Sequence, residues 1–134
     1  MRTIAVLVLM TPVLAWADGG VVTKTELRRD AAAKPSHTRP VCILEGSLPT
    51  EYTFRELGRI KATKRTYGGV DELNRPIADE ARRVGADVII SYNADQRFKS
   101  PLPWRLKAPT GMGIAVKLTG GPPLDCAALR GQSF

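Results

Sequence analysis

One stretch of the chain alternates strictly between small or apolar residues and polar ones. It lies within residues 52–66, where the polar positions include Arg59, Lys61 and Thr63. A period of two is typical of a β-strand, because successive side chains point to opposite faces of the sheet. We therefore predict a strand with one packed face and one basic, solvent-facing side, as in an antiparallel sheet that is covered on one face only.

A second stretch has the period of a helix. Its apolar residues recur every three or four positions, at Val70, Leu73, Ile77, Ala81 and Val84. This spacing predicts one amphipathic helix with a single apolar stripe. Gly85 follows the stripe, at the position where a left-handed residue commonly ends a helix, so we expect the helix to end there.

Three further apolar stretches complete the predicted sheet. Residues 41–46 form a first short strand, and residues 87–94, apolar on both faces at Val88–Ile90, form a central one. The last strand covers residues 112–119, with its even-numbered residues, Met112 to Leu118, toward the core. We predict an α+β fold in the order strand, strand, helix, strand, strand. Its sheet is small, mainly antiparallel and about four strands wide, with one helix on one face.

The first 17 residues have the organisation of a secretory signal peptide. A basic residue, Arg2, precedes an apolar run, and Ala15-Trp16-Ala17 supplies the small residues of a cleavage site. An N-terminal membrane anchor is the alternative, but the apolar run is too short to span a bilayer. We predict cleavage near Ala17, a soluble mature protein without a transmembrane segment, and a periplasmic or secreted location.

The remaining chain divides by composition. Residues 18–40 are poor in large apolar side chains and end in a proline-containing stretch, residues 34–40, so we expect a mobile leader and linker. Residues 41–119 hold the predicted α+β domain, and residues 120–134 form a short, polar C-terminal tail. The sequence contains no internal repeat.

The mature protein is predicted to be basic. The chain has 20 Lys and Arg against 13 Asp and Glu, and loss of Arg2 with the leader gives 19 − 13 = +6. An exported protein is not expected to meet nucleic acid. The charge favours an anionic lipid headgroup, lipopolysaccharide or an acidic envelope protein as partner, or it serves solubility alone. The oligomeric state stays open.

Two cysteines, Cys42 and Cys126, remain in a compartment that permits disulfides. We predict that they pair, and closing a loop of about 84 residues stabilises a domain by up to ~4 kcal/mol. The alternatives are free thiols or a metal pair. A metal pair has little support, because His37 is the single histidine and the sequence has no Cys-x-x-Cys motif. We predict no cofactor.

Three motifs together resemble a bacterial family. They are Leu57-Gly58-Arg59-Ile60 in the second strand, Ala78 with Ala81 on the helix, and Gly85-Ala86-Asp87-Val88-Ile89 at the next strand. This pattern resembles the heavy-metal-binding family of small bacterial proteins and is similar to the sensor domain of the Rcs stress lipoprotein. The resemblance covers about residues 53–119 and implies the α+β fold. A lipid-acceptor cysteine and soft metal ligands are missing, so no metal site is carried over.

The residue types in this chain give little support to a catalytic function. A nucleophile needs a positioned base, and His37 lies in the linker. We therefore predict no catalytic residues and a non-enzymatic, partner-binding envelope protein. A role in a stress response stays open, and a metal-binding module is the alternative. The candidate binding surface combines the cations of the second strand with the loop around Trp104; its members are Arg59, Lys61, Lys64, Arg65, Arg97, Trp104, Arg105 and Lys107. A basic face that only promotes solubility is the simpler interpretation of these residues.

Overall fold

The computed structural model describes residues 20–30, 34–98 and 107–134. It is an α+β fold with one α-helix and one six-stranded sheet, which confirms the predicted class. The elements in chain order are β1 (Val21–Leu27), β2 (Cys42–Ile43), β3 (Thr53–Lys64), a 3-10 turn (Val70–Leu73), α1 (Asn74–Val84), β4 (Val88–Phe98), β5 (Lys107–Gly120) and β6 (Gln132–Ser133). The predicted signal peptide lies outside the described residues.

The sheet is wider than predicted and it is mixed. Its strand order is β1-β3-β5-β4-β2-β6, and every neighbouring pair is antiparallel except β2 with β4, which run parallel. The prediction of about four mainly antiparallel strands is therefore wrong in number and in part of its pairing. The two additional strands come from the segments that we expected to be leader and tail.

Strand β1 arises within the expected leader because its neighbour leaves room for it. Val21 to Leu27 pair along β3 from Lys64 to Gly58. At Gly58 a side-chain Cβ would lie 2.2 Å from the main-chain oxygen of Glu26, so only glycine permits this close approach. The predicted leader therefore contributes an ordered edge strand to the fold.

The helix follows the predicted stripe closely. Leu73, at the end of the preceding 3-10 turn, and Ile77, Ala81 and Val84 of the helix are fully buried, whereas Val70, at the start of that turn, stays partly exposed. The helix ends at Gly85, which has a φ of 82° and donates its main-chain N–H to helix carbonyls. The left-handed cap predicted from the sequence is confirmed.

The face of the sheet under α1 carries the larger core. Fully buried side chains from the helix meet Leu57 and Ile60 of β3, Ile89 of β4 and Ala115 of β5. Ala115 was expected to face outward, and Met112 was expected in the core but is 42% exposed. The prediction for this strand therefore holds in part. Val116 is buried, with Ile114 and Leu118 packed beside it, but on the sheet face opposite the helix. The outward prediction for Ala115 is wrong because both sheet faces are covered at that point of β5, and the core prediction for Met112 is wrong because the second face is open where β5 begins.

The opposite face is covered over half its width, and without a helix. Val88, Ile90 and Val116 pack there against Leu48 and Tyr52 and against side chains of the C-terminal segment. The predicted disulfide between Cys42 and Cys126 is present in this cluster and closes a sequence separation of 84 residues. It joins the short strand β2 to the segment that covers this face.

The linker before β2 is bound to the C-terminal end of α1. Lys34 N–H donates to the Val84 carbonyl at 3.0 Å, and His37 N–H donates to that of Arg82 at 3.2 Å. The His37 Nε2 lies 2.6 Å from the Ala86 oxygen. Because this linker enters β2 from the same end at which α1 delivers the chain to β4, the two strands run parallel.

Candidate functional site

The uncovered half of the second sheet face is the candidate site. Here β1, β3 and the start of β5 present their side chains to solvent, and shallow grooves of about 270 and 280 Å³ run between them. We call this surface the basic sheet face and define it by its four cations, Lys24, Arg59, Lys61 and Arg65.

Local sequence explains why the cations point this way. Ile60 and Ala62 of β3 are fully buried against the helix side, so their chain neighbours Arg59 and Lys61 must project from the other face. Lys24 of β1 joins them because it pairs directly opposite Lys61. The pleat of two antiparallel strands therefore places the single cation of β1 beside a row of cations on β3 and its end.

The charges on this face are only partly neutralised. Glu26 lies 3.5 Å from the Lys24 ammonium, with both side chains largely exposed, and is paired opposite Arg59. Among the described residues, Arg59, Lys61 and Arg65 have no carboxylate within ion-pair distance. Like charges directly opposite each other across two strands are destabilising, so the Lys24–Lys61 pairing is unfavourable on its own.

Apolar side chains accompany these cations. Val22 is 50% exposed and lines the groove with Lys24 and Lys61, and Met112 lines the neighbouring groove with Arg59. A polarisable methionine and a branched aliphatic side chain give the surface some apolar character beside its charge. The arrangement is wide and shallow, which suits contact with another surface better than enclosure of a small molecule.

The predicted surface residues separate into three groups. Arg59, Lys61 and Arg65 lie together on the basic sheet face, but Lys64 projects to the opposite face, where it bonds Glu72 at 2.7 Å and is 12% exposed. Arg97 and Lys107 occupy adjacent ends of β4 and β5 through their main chains. Trp104 and Arg105 lie outside the described residues.

The Lys64–Glu72 contact has a structural role at the 3-10 turn. Its hydrogen bond is the main cause that lowers the pKa of Glu72, and the Gly69 N–H, at 2.8 Å from the same carboxylate, lowers it further. The pair thereby fixes the connection between β3 and the helix. Lys64 serves the fold here and is not part of the basic sheet face.

Lys24, Val22 and Met112 were missed by the sequence reasoning. Lys24 and Val22 were assigned to the mobile leader, and Met112 was assigned to the core. A signal for β1 was present, because Val21-Val22-Thr23 is a β-branched run of high strand propensity. The exposure of Met112 had no comparable signal, since it depends on which half of the face the C-terminal segment covers.

A separate cleft of about 450 Å³ lies at the other side of the molecule. It is bordered by Glu45, Asp71 and Arg130 and by Tyr92, whose hydroxyl is buried without a hydrogen-bond partner among the described residues. Burial raises the pKa of Tyr92 to about 12, so the phenol stays neutral near pH 7. Asn74 bridges part of this cleft by donating to Gln132.

The described residues contain neither a metal-binding cluster nor a membrane-spanning helix. No group of three His, Cys, Asp or Glu side chains is placed to hold a metal ion in residues 20–30, 34–98 and 107–134. Within the same ranges, no helix is long and apolar enough to cross a membrane.

Comparison of the chain with protein-family models, with curated proteins and with solved structures gives no significant match. The resemblance to the heavy-metal-binding family therefore stays a prediction from the sequence motifs alone.

Proposed function

We propose that this chain is a small exported, non-enzymatic envelope protein that binds a phosphate-bearing lipid surface through its basic sheet face. The observation that carries the proposal is the direct pairing of Lys24 with Lys61, flanked by Arg59 and Arg65 on an open sheet. An anion bound between Lys24 and Lys61 offsets the repulsion that the bare surface carries.

The spacing of the cations supports a surface ligand. Neighbouring strands lie about 4.8 Å apart, and alternate residues of one strand about 6.8 Å apart, so Lys24 lies beside Lys61 while Arg59, Lys61 and Arg65 follow one line along β3 and its end. Arginine binds phosphate with two parallel hydrogen bonds, whereas lysine acts as a point charge. Val22 and Met112 add apolar contact beside these charges.

Export to the envelope, which the signal-peptide prediction supports, determines which anions are available. Phospholipid headgroups and lipopolysaccharide share the phosphate chemistry that the basic sheet face favours. The metal-binding alternative rests on the sequence resemblance alone, and no observation on the described residues favours it over the anionic surface.

Vesicle flotation with purified exported protein tests the proposal. The protein is expected to float with vesicles of phosphatidylcholine and phosphatidylglycerol and not with phosphatidylcholine alone. The variant Arg59→Gln/Lys61→Gln/Arg65→Gln should lose about a hundredfold in affinity, because each basic residue near an anionic surface contributes ~1 kcal/mol and 1.4 kcal/mol is tenfold. A second arm replaces the anionic vesicles with lipopolysaccharide aggregates and thereby distinguishes the two sources of phosphate.

A matched control removes the same charge elsewhere. Arg29, Arg75 and Arg130 are exposed and lie off the basic sheet face, so Arg29→Gln/Arg75→Gln/Arg130→Gln should bind nearly as well as the unchanged protein. Equal loss in both triple variants would show attraction by net charge alone and would overturn the site. Binding to neither lipid, with capture of an acidic envelope protein by cross-linking, would overturn the choice of ligand.

A further inference from the structure

Strand β1 is the outermost strand of the sheet. It is seven residues long and pairs with β3 on one side only. No segment of the described chain pairs with its other side. Such an edge presents a row of main-chain donors and acceptors to a further strand. By contrast, β6 at the opposite edge has two residues, which is too short to offer a comparable row.

The direction of the main-chain groups follows from one hydrogen bond. The N–H of Arg28, directly after β1, donates to the carbonyl of Leu57 at 2.9 Å. Because main-chain groups alternate in direction along a strand, the even-numbered residues of β1 bond to β3. The odd-numbered residues therefore direct their N–H and C=O groups at the free edge; they are Val21, Thr23, Thr25 and Leu27.

The charges of β1 select one register for a second copy of the same strand. Lys24 and Glu26 are largely exposed and stand two residues apart on one face. In an antiparallel pair centred on Thr25, Lys24 of each copy lies opposite Glu26 of the other. A pair centred on Lys24 would instead place two ammonium groups opposite each other, which is unfavourable.

We propose that two copies of this chain associate through β1, antiparallel and centred on Thr25, so that their sheets join into one. In this register Thr25 exchanges main-chain hydrogen bonds with Thr25 of the second copy, and Thr23 exchanges them with Leu27. These are the residues whose main-chain groups already point outward. The Lys24–Glu26 contacts then form twice across the junction.

Two exposed apolar side chains on β1 support the same junction. Leu27 is 42% exposed and comes to lie beside Thr23 of the second copy, while Val22 lies beside the aliphatic stem of Arg28. Both would lose solvent exposure on pairing. Since the two-fold axis is perpendicular to the sheet, the basic sheet faces of the two copies point the same way. The self-association itself does not depend on lipid binding.

Sedimentation velocity of the purified exported protein at physiological salt tests the proposal. A concentration-dependent dimer is expected. Lys24→Glu and Glu26→Lys each place like charges opposite one another twice, so each should weaken dimerisation about tenfold or more. The swapped double variant, Lys24→Glu/Glu26→Lys, restores complementary pairs and should dimerise like the unchanged protein.

Mixing provides the most specific outcome. An equimolar mixture of the two single variants should form a heterodimer, because the two glutamates of one face the two lysines of the other. Thermal melts by circular dichroism confirm that each variant is folded, since Glu26 also lies opposite Arg59 within the chain. A protein that stays monomeric throughout, or single variants that dimerise as well as the unchanged chain, would overturn the proposal.

Discussion

The two faces of the sheet are closed by different means. Beneath α1, one face is covered by a single helix whose buried stripe is continuous, and the contacting residues are fully buried. The other face is covered over half its width by a loop and the C-terminal segment, which a disulfide attaches to β2. One face thus relies on periodic apolar packing, and the other on a covalent connection between distant segments.

This difference explains where the sheet can carry exposed charged side chains. A helix that crosses the sheet leaves no room for charged residues beneath it. A covering segment of limited length protects only the half of the sheet that it reaches. The remaining half can carry Lys24, Arg59 and Lys61 without burying them, and it is there that the basic sheet face lies.

The largest expected effect comes from the helix-covered face. Leu57→Ala should reduce the free energy of unfolding by about 3–5 kcal/mol, because Leu57 is fully buried and the rigid helix cannot collapse into the cavity. The same substitution at Leu48, which is 8% exposed on the other face, should cost about 2 kcal/mol. Urea denaturation measures both, and equal losses would mean that the two cores are packed alike.

Removing the disulfide should affect the second face selectively. Cys42→Ala/Cys126→Ala is expected to lower the free energy of unfolding by about 2–4 kcal/mol through the greater entropy of the unfolded chain. Hydrogen exchange should show earlier loss of protection at β6 than at the centre of β3. If full reduction leaves the thermal transition unchanged, the disulfide does not hold this face closed.

The smallest expected effect is on the pH dependence of stability. It arises at Glu80, a helix residue that accepts a hydrogen bond from Thr25 of β1. Hydrogen bonds from Arg83 and from the Thr25 hydroxyl, at 2.5 Å, lower the pKa of Glu80 in the folded protein, against a partial desolvation that raises it. A lowered pKa means that this stabilisation is complete above the ordinary value of 4.5 and is lost as the pH falls through the folded value.

Glu80→Gln should therefore cost about 0.5 kcal/mol at pH 7, and the difference from the unchanged protein should shrink in acid below the ordinary pKa. Asp71→Asn is a suitable control, since Asp71 is exposed and no ion pair to it is present among the described residues. Chemical denaturation at several pH values measures the difference, and a gap that persists in acid would contradict the assigned role of Glu80.

Periodicity in the sequence was sufficient to predict the main elements of the helix-covered face. The stripe from Leu73 to Val84, the cap at Gly85 and the alternation in β3 were each predicted, because every one of these signals is local. The disulfide was also predicted, and is confirmed, since two cysteines in a chain that is predicted to be exported allow few alternatives.

The second face depends on contacts that are remote in sequence. Strand β6 has two residues and no pattern of its own, and it exists because Val41 and Phe134 exchange main-chain hydrogen bonds beside it. Strand β1 can pair with β3 because Gly58 has no side chain to block the approach of its main chain. For the same reason only part of the candidate site could be found: the β3 cations follow from alternation, whereas Lys24 joins them through sheet pairing.

The disulfide also has a consequence for the order of folding during synthesis. Residues 42 and 126 are far apart in the chain, so Cys42 must remain a free thiol while the segment up to Cys126 is still emerging. The helix side of the sheet has most of its strands before that moment, but the other side still lacks the part of its cover that the C-terminal segment supplies. Maturation is therefore expected in two steps, a reduced intermediate with one exposed apolar surface and then an oxidation that closes it.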